Sequence, residues 1–148
     1  MTPTPLLTGQ DIGQAEKATR AVLDRLLAQT GTTFHGWVIL NLLAAHGSAL
    51  GHDELTGQVT HGLKIDEATV DAAVTDLVEH GLLRRTPSAA AGPDITLTPS
   101  GTARFHQLRD GIAQITERLY GGLPADDLAV AHRVLAAVTE RANAALAS

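Results

Sequence analysis

The sequence predicts a mainly α-helical protein with one small β-hairpin. Hydrophobic residues make up 44% of the 148 positions, and they are mostly Ala and Leu with only four aromatic residues, which favours helix over strand. Along most of the chain the apolar residues recur at steps of three and four, the period of an amphipathic helix. Between residues 82 and 97 this period is lost, and two short strand-like runs enclose a loop of Pro, Ser, Ala and Gly.

The composition excludes several classes of protein. The chain has no cysteine, so it can form no disulfide, thiolate metal site or cysteine nucleophile. No apolar run approaches the roughly 20 residues that a membrane span requires. The N-terminal residues also lack the basic and apolar character of a signal peptide. We therefore expect a soluble cytoplasmic protein with no membrane partner, of a length that suits one domain.

Two helices are predicted in the first third of the chain. In the first, the apolar residues between Ile12 and Leu27 lie three or four apart, and Gly31 ends the helix. The second runs from about Thr33 to His46 and is apolar on almost every side, so we expect it to be buried.

Two shorter helices follow, separated by a brief break. The third is predicted at about Asp53–Val59 and the fourth at about Glu67–His80. Asp66 is placed to cap the fourth helix at its N-terminus. Gly81 stands where a left-handed residue is expected to end it.

The last part of the chain is predicted to hold two strands and then two long helices. The strands are Leu82–Thr86 and Asp94–Leu97, and Thr98-Pro99 supplies a cap and a first residue for the fifth helix. Two consecutive glycines end that helix, and Pro124 begins the sixth. Both helices carry sustained apolar stripes that need a partner surface, as does the first helix. We therefore expect a homodimer formed by the terminal helices.

The order of these elements is that of a helix-turn-helix with a wing, flanked by helices that pair between subunits. The most specific local motif is Gly-Leu-Leu-Arg-Arg at 81–85 followed by Leu-Thr-Pro-Ser-Gly at 97–101. Further motifs are Thr33-Phe34-x-x-Trp37, Asp53–Leu55, Glu117–Tyr120 and Leu123–Leu128. Over nearly its whole length the chain resembles the MarR family of winged-helix transcriptional regulators.

The resemblance implies an architecture and a function. Residues 33–98 would form the winged helix-turn-helix, and residues 1–32 and 99–148 would supply the dimerisation helices. The homodimer would bind a near-palindromic operator in double-stranded DNA, with the recognition helix in the major groove and the wing in the minor groove. Such proteins usually repress transcription, and many release DNA when a small phenolic or anionic molecule binds between the two parts.

The distribution of charge opposes DNA binding. The chain carries a net charge of −5, and residues 52–98, with three basic and eight acidic residues, already account for all of it. Affinity for duplex DNA depends largely on neutralised phosphates, so this acidic charge lies where it weakens binding. Typical family members have Thr-Arg or Thr-Lys where this chain has Asp71-Ala72, and the loop at 88–93 lacks the Asp-x-Arg motif of their wing.

Two interpretations therefore stay open. In the first, the protein binds DNA through backbone contacts, and Glu67 or Asp71 accepts a hydrogen bond from a cytosine amino group. In the second, the fold is kept in a dimer that has weak or lost DNA binding and acts as a small-molecule-binding or protein-interaction module. The predicted DNA contacts are Lys64, Glu67, Thr69, Asp71, Arg84, Arg85, Thr86 and Ser88.

A ligand site is expected where the first, second and fifth helices meet. An apolar wall with a few converging polar groups would suit a small aromatic or anionic molecule. Core packing is the commoner role for a residue like Trp37, and Arg109 is more often a solvated helix residue or a partner in an interhelical ion pair. Asn41 interrupts an apolar helix, so its amide either bonds nearby backbone or faces a cavity. The predicted ligand contacts are His35, Trp37, Asn41, His106 and Arg109.

No motif in the chain points to catalysis, a cofactor or a metal. There is no glycine-rich phosphate loop or nucleophile elbow, so we expect no enzyme and assign no catalytic residue. The seven histidines lack metal-binding spacing, although His35 and His106 lie on helices that should be neighbours. Protonating all seven would move the charge from −5 to +2, which predicts a DNA affinity that depends on pH.

Overall fold

The computed structural model describes residues 3–88 and 92–148, and the predicted mainly α-helical fold with a small β-sheet is confirmed. The loop residues 89–91, predicted to be a flexible part of the wing, lie outside the described residues. The elements are α1 (Gly9–Ala28), α2 (Phe34–Ala45), β1 (Ala49–Gly51), α3 (His52–Leu63), α4 (Glu67–Glu79), β2 (Leu83–Thr86), β3 (Asp94–Leu97), α5 (Pro99–Tyr120) and α6 (Ala125–Leu146).

Short polar side chains begin four of the helices. At α5 the predicted cap is confirmed, because the Thr98 hydroxyl accepts a hydrogen bond of 3.0 Å from the Gly101 N–H. Thr8 forms a capping box with Asp11 at the start of α1. The Thr33 hydroxyl accepts a hydrogen bond of 3.0 Å from the Gly36 N–H at the start of α2. Asp66 accepts one of 2.8 Å from the Thr69 N–H at the start of α4, so the predicted cap is confirmed.

The sheet has three strands, so the prediction of two was wrong. The central strand β3 pairs antiparallel with β2 on one side and with β1 on the other, where Leu50 lies opposite Ile95. Strand β1 has three residues and follows Gly47 and Ser48, which both have positive φ angles. A run this short shows no alternation of apolar and polar residues, so β1 left no pattern in the sequence.

Helix α3 is longer than predicted. The prediction ended it at Val59, but it continues to Leu63 and ends at Lys64, which adopts the left-handed conformation with φ 58°. Gly62 and the β-branched Thr60 are weak helix formers, which made the last turn look like a loop. Packing of Leu63 against the core compensates for that low propensity.

The core lies among α2, α3, α4 and the sheet. The predicted burial of α2 is confirmed, since Ile39, Leu40 and Leu43 are fully buried. Val70 from α4 and Ile95 from β3 are also fully buried and join the same cluster. This packing attaches the helix-turn-helix to the sheet that carries the wing.

The chain divides into two compact units. The first, residues 1–115, contains α1 to α4, the sheet and most of α5, and the second, residues 116–148, contains the end of α5 and all of α6. Among the residues that the structure describes, no helix has the length and apolarity that crossing a membrane requires.

Candidate nucleic-acid interface and ligand cavity

Helices α3 and α4 form a helix-turn-helix with an exposed outer face. Val70, Val74 and Leu77 bury the inner face of α4. Glu67 and Asp71 lie on its exposed side. In this arrangement the outer face of α4 can enter a groove of DNA while the inner face stays packed.

Two of the predicted DNA contacts lie near the start of α4, Lys64 in the turn before the helix and Thr69 in its first turn. The Lys64 ammonium donates a hydrogen bond of 2.6 Å to the carbonyl oxygen of His61, at the C-terminal end of α3 where a cation is favoured. Thr69 is half-buried, and its hydroxyl donates a hydrogen bond of 2.6 Å to Asp66. Thr69 is therefore part of the cap of α4, because both its backbone N–H and its hydroxyl donate to Asp66.

Strand β2 carries the basic residues of the wing. Arg84, Arg85 and Thr86 are exposed, and Ser88 is half-buried. The Arg85 guanidinium donates a hydrogen bond of 2.9 Å to the Thr75 hydroxyl, which ties the wing to α4. Basic groups therefore flank α4, with Lys64 in the turn before it and the two arginines beside it on the wing.

His52 connects three elements through its imidazole and its backbone N–H, and no pattern in the sequence marked it as a site residue. Its Nε2 lies 3.0 Å from Oδ1 of Asp71 on α4, and its Nδ1 lies 3.2 Å from Oδ1 of Asp53. Its backbone N–H donates a hydrogen bond of 2.9 Å to the carbonyl oxygen of Pro93 at the base of the wing. The hydrogen bond to Asp71, followed by that to Asp53, raises the pKa of His52 above its usual value of 6.5.

Three of the five predicted ligand residues gather around Phe105. The Trp37 ring stacks on Phe105 with a centroid distance of 5.7 Å and an angle of 10°. The His106 ring lies 5.7 Å from Phe105, and the Arg109 guanidinium lies 5.7 Å from its ring centroid. Phe105 was not predicted as a site residue, because its position in the apolar stripe of α5 indicates only packing.

The other two predicted ligand residues lie elsewhere on α2. The His35 ring is 6.1 Å from the ring of Phe34. Asn41 is exposed and faces a cavity of about 290 Å³ between α2 and α3, rather than one formed with α1 and α5. This cavity is apolar apart from the amides of Asn41 and Gln58, and it contains no ionisable side chain among its lining residues: Val38, Asn41, Leu42, Ala45, Gln58, Val59, Gly62 and Leu63.

Several solved structures superpose on most of this chain. BpsR of Bordetella bronchiseptica, whose DNA binding is regulated by 6-hydroxynicotinic acid, is 23% identical, with 93% of this chain and 98% of that chain covered and a TM-score of 0.75. A mutant of MarR from E. coli complexed with operator DNA is 22% identical, with 88% and 91% covered and a TM-score of 0.75. The chain has the MarR fold.

A third likeness is more distant in sequence. The organohalide-sensing regulator RdhR, in its 2,4-dichlorophenol-bound form, is 14% identical, with 90% of this chain and 78% of that chain covered and a TM-score of 0.76. No family model matches the sequence, and no curated protein does. At these identities the similarity to MarR proteins is one of fold.

Within this MarR fold the surface of α4 is acidic. Glu67, Asp71, Asp76 and Glu79 are all exposed, and α4 contains no Lys or Arg. The His80 Nδ1 lies 3.4 Å from Oδ1 of Asp76, so a second histidine faces an acid at the far end of the helix. The exposed face of α4 is therefore a row of hydrogen-bond acceptors between basic flanks.

The titratable side chains do not assemble into a metal centre within the ranges 3–88 and 92–148. No group of three or more His, Asp or Glu residues there is arranged to hold a metal ion. His52 and its two aspartates instead form a hydrogen-bonded cluster in which each carboxylate pairs with one ring nitrogen.

Proposed function

We propose that this protein is a cytoplasmic transcriptional regulator of the MarR type that binds operator DNA as a homodimer and represses until a small ligand binds. The observation that carries the proposal is the exposed helix-turn-helix in a chain that superposes over 88% of its length on a MarR protein solved with operator DNA. Residues 33–98 bind DNA in this proposal, and residues 1–32 and 99–148 form the dimer. Two of the neighbouring structures are transcriptional regulators, which supports a regulator and not an enzyme in this proposal.

Two groups of residues would contact DNA. The backbone phosphates would be neutralised by Lys64 before α4 and by Arg84 and Arg85 on β2, with hydroxyl contacts from Thr86 and Ser88. The bases would face the first turns of α4, where Glu67, Thr69 and Asp71 lie. Acidic side chains read cytosine in the major groove, because its amino group is a hydrogen-bond donor.

The apolar surface of α6 supports the homodimer. None of the 22 residues of α6, all of which the structure describes, is buried. Val130, Val134 and Val138 are 48%, 40% and 42% exposed, and they form a stripe at steps of four residues. A contiguous apolar stripe of this kind is normally covered by a partner, and a second copy carries the same stripe.

Two features support a small aromatic ligand. Trp37, His106 and Arg109 surround Phe105, where an aromatic ring could stack and a guanidinium could pair with an anionic group. His35 and Asn41 complete the proposed contacts, with Asn41 at the cavity between α2 and α3. One neighbour has its DNA binding regulated by 6-hydroxynicotinic acid and another is bound to 2,4-dichlorophenol, and both small molecules are aromatic.

Binding to DNA is tested directly by fluorescence anisotropy. The purified protein is titrated with its own upstream region, and then with sequences chosen from a random pool, at low and at physiological salt. Saturable binding that resists competitor DNA is the expected result. Absence of binding to both the natural and the selected sequences would contradict the proposal.

The salt dependence identifies the phosphate contacts. In the variant K64A/R84A/R85A, the slope of log affinity against log salt should become shallower by about 0.9 for each phosphate that the protein no longer neutralises. The variant K17A/R25A, which removes exposed basic residues of α1, is the matched control and should keep the wild-type slope. Equal slopes in all three proteins would mean that Lys64, Arg84 and Arg85 do not contact phosphates.

The acidic surface of α4 favours a second candidate function. With five acids and no Lys or Arg at residues 66–80, the dimer would bind DNA weakly and act instead as a ligand-binding or protein-interaction module. The random-sequence selection separates the two functions, since only a regulator enriches specific DNA.

A further inference from the structure

The His52 side chain joins the start of α3 to the exposed face of α4. Its Nε2 is 3.0 Å from Oδ1 of Asp71, and because the two residues are 19 positions apart this is a tertiary contact. The same residue donates its backbone N–H to the Pro93 carbonyl oxygen, where the wing returns to the sheet. We call the His52–Asp71 contact the imidazole bridge.

The charged groups that surround the imidazole bridge are acidic. Asp53 on α3 lies 3.2 Å from Nδ1, and Asp71 on α4 lies 3.0 Å from Nε2. From the sheet, Asp94 follows Pro93 and pairs in register with Gly51, the residue before His52. Because Asp71 and Asp53 favour the protonated imidazole, the pKa of His52 is raised.

The imidazole bridge changes the charge and the hydrogen-bonding capacity that Asp71 presents to a DNA groove. A carboxylate that faces DNA alone adds negative charge near phosphates and weakens binding. When Asp71 pairs with a protonated imidazole, which Asp53 shares, its charge is neutralised in part and one of its oxygens is occupied. The Asp71 side chain is still 53% exposed, so its Oδ2 remains open to a donor from the groove.

We propose that His52 is a positioning residue for DNA recognition, which orients Asp71 and partly neutralises it so that its second oxygen accepts a hydrogen bond from a cytosine amino group. This inference rests on the proposed DNA binding and deepens it. It names the base that is read and the residue that makes an acidic recognition helix compatible with DNA. The operator should therefore carry a C·G pair at the position facing Asp71.

The bridge also predicts the direction of the pH dependence. Below its raised pKa, His52 carries a proton on both nitrogens and donates to Asp53 and Asp71 together. Above that pKa it keeps one N–H, so one carboxylate loses its donor and the charge of the His52–Asp71 pair becomes negative. Affinity for the operator should therefore fall by roughly three- to tenfold as the pH rises from 6 to 8.

The test uses the full-length protein and an operator obtained by selection from random DNA. In wild type, replacing the C·G pair that faces Asp71 by T·A should weaken binding roughly 5- to 150-fold. H52A should bind the cytosine operator about three- to tenfold more weakly, and its discrimination between the two operators should shrink. H52Q, whose amide can still donate to Asp71, should retain the discrimination and lose the pH dependence.

Two further variants separate positioning from a structural role. In a D71A background, H52A should have no additional effect on affinity, because the residue it positions is gone. H80A is the matched control, since His80 pairs with Asp76 on the same helix, and it should keep both the discrimination and the pH profile. Melting temperatures close to that of wild type show that each variant is folded.

The outcomes distinguish this inference from the function on which it rests. If wild type enriches no DNA in the selection, the proposed function and the inference both fail. If wild type binds its operator while H52A matches it in affinity, discrimination and pH profile, only the inference is overturned. An operator that carries no cytosine opposite Asp71 overturns it as well.

Discussion

The atoms packed around position 101 leave no room for a side chain, so this position requires a glycine. It lies in the Leu-Thr-Pro-Ser-Gly motif, where its N–H donates a hydrogen bond of 3.0 Å to the Thr98 hydroxyl. The same hydroxyl donates a hydrogen bond of 2.6 Å to the carbonyl oxygen of Gly81. A Cβ atom at residue 101 would overlap the carbonyl oxygen of Leu82 and press on Leu97. The motif therefore joins the start of α5 to the end of α4, and only glycine permits the close approach.

Replacing this glycine should destabilise the fold. G101A should lower the free energy of unfolding by about 1–3 kcal/mol, because the contacted atom is backbone and cannot move aside cheaply. Urea denaturation measures the change. G57A is the matched control: residue 57 is within α3 with open space around it, so alanine should stabilise by up to about 1 kcal/mol. Equal effects of the two substitutions would contradict this view of Gly101.

His52 makes stability depend on pH with a defined sign. Because its folded-state pKa is raised, the stabilisation is fully present below the unfolded value of about 6.5 and is lost as the pH rises through the folded pKa. Wild type should therefore lose more unfolding free energy between pH 6 and pH 8 than H52Q does. Urea denaturation at several pH values, without DNA, measures this difference. If the unfolding free energies of the two proteins change in parallel with pH, His52 contributes nothing to the pH dependence of stability.

At the scale of elements, the helices follow local rules and the strands depend on their partners. The cap at Asp66 and the helix-ending glycines Gly31 and Gly81 were predicted and are confirmed, because each is decided within a few residues. Strand β1 was missed, because three residues form a strand only when β3 supplies the hydrogen bonds. The last turn of α3 was missed for a similar reason, since core packing overrides its low propensity.

The cap of α2 is open to a conservative test. T33A should lower the free energy of unfolding by about 1 kcal/mol, because the Gly36 N–H loses its acceptor. T33S keeps the hydroxyl and should stay close to wild type. Thermal and urea denaturation measure both variants. If T33S is as unstable as T33A, the methyl group of Thr33 stabilises the protein and its hydrogen bond to Gly36 does not.

At the scale of the whole molecule, the apolar stripe on α6 requires an explanation beyond a single chain. Val130, Val134 and Val138 are more than a third exposed, although apolar residues at this spacing normally pack against a neighbouring surface. The apolar spacing along α6 predicts a dimerisation surface, and the exposure of these residues in the single chain agrees with that interpretation. The homodimer itself stays a prediction.

The oligomeric state tests that prediction. Light scattering after gel filtration should give about twice the 15.4 kDa chain mass for wild type. V134D/V138D should give the mass of one chain at the same concentration, because two carboxylates would be buried without partners. A136D places a charge on the opposite side of α6 and should remain dimeric. A monomeric wild type would exclude the homodimer.

The candidate site was predictable in part. Lys64, Arg84, Arg85 and the acidic face of α4 follow from residue type and helical period, and the structure places them around one exposed helix. The aromatic cluster was anticipated at Trp37, but its centre at Phe105 was not. The cavity at Asn41 involves α3, because which faces of α2 are covered depends on how the helices pack.

Patterns in the sequence predicted the helices except the last turn of α3, the caps at Asp66 and Thr98, the acidity of α4 and the apolar stripe of α6. Each of these depends on residues three or four apart, so the sequence pattern contains the physical cause. The third strand, the cavity between α2 and α3, and the contact of His52 with Asp71 became visible only in the folded chain. These depend on groups far apart along the chain that meet through packing, and a pairing of that kind leaves no periodic signal in a single sequence.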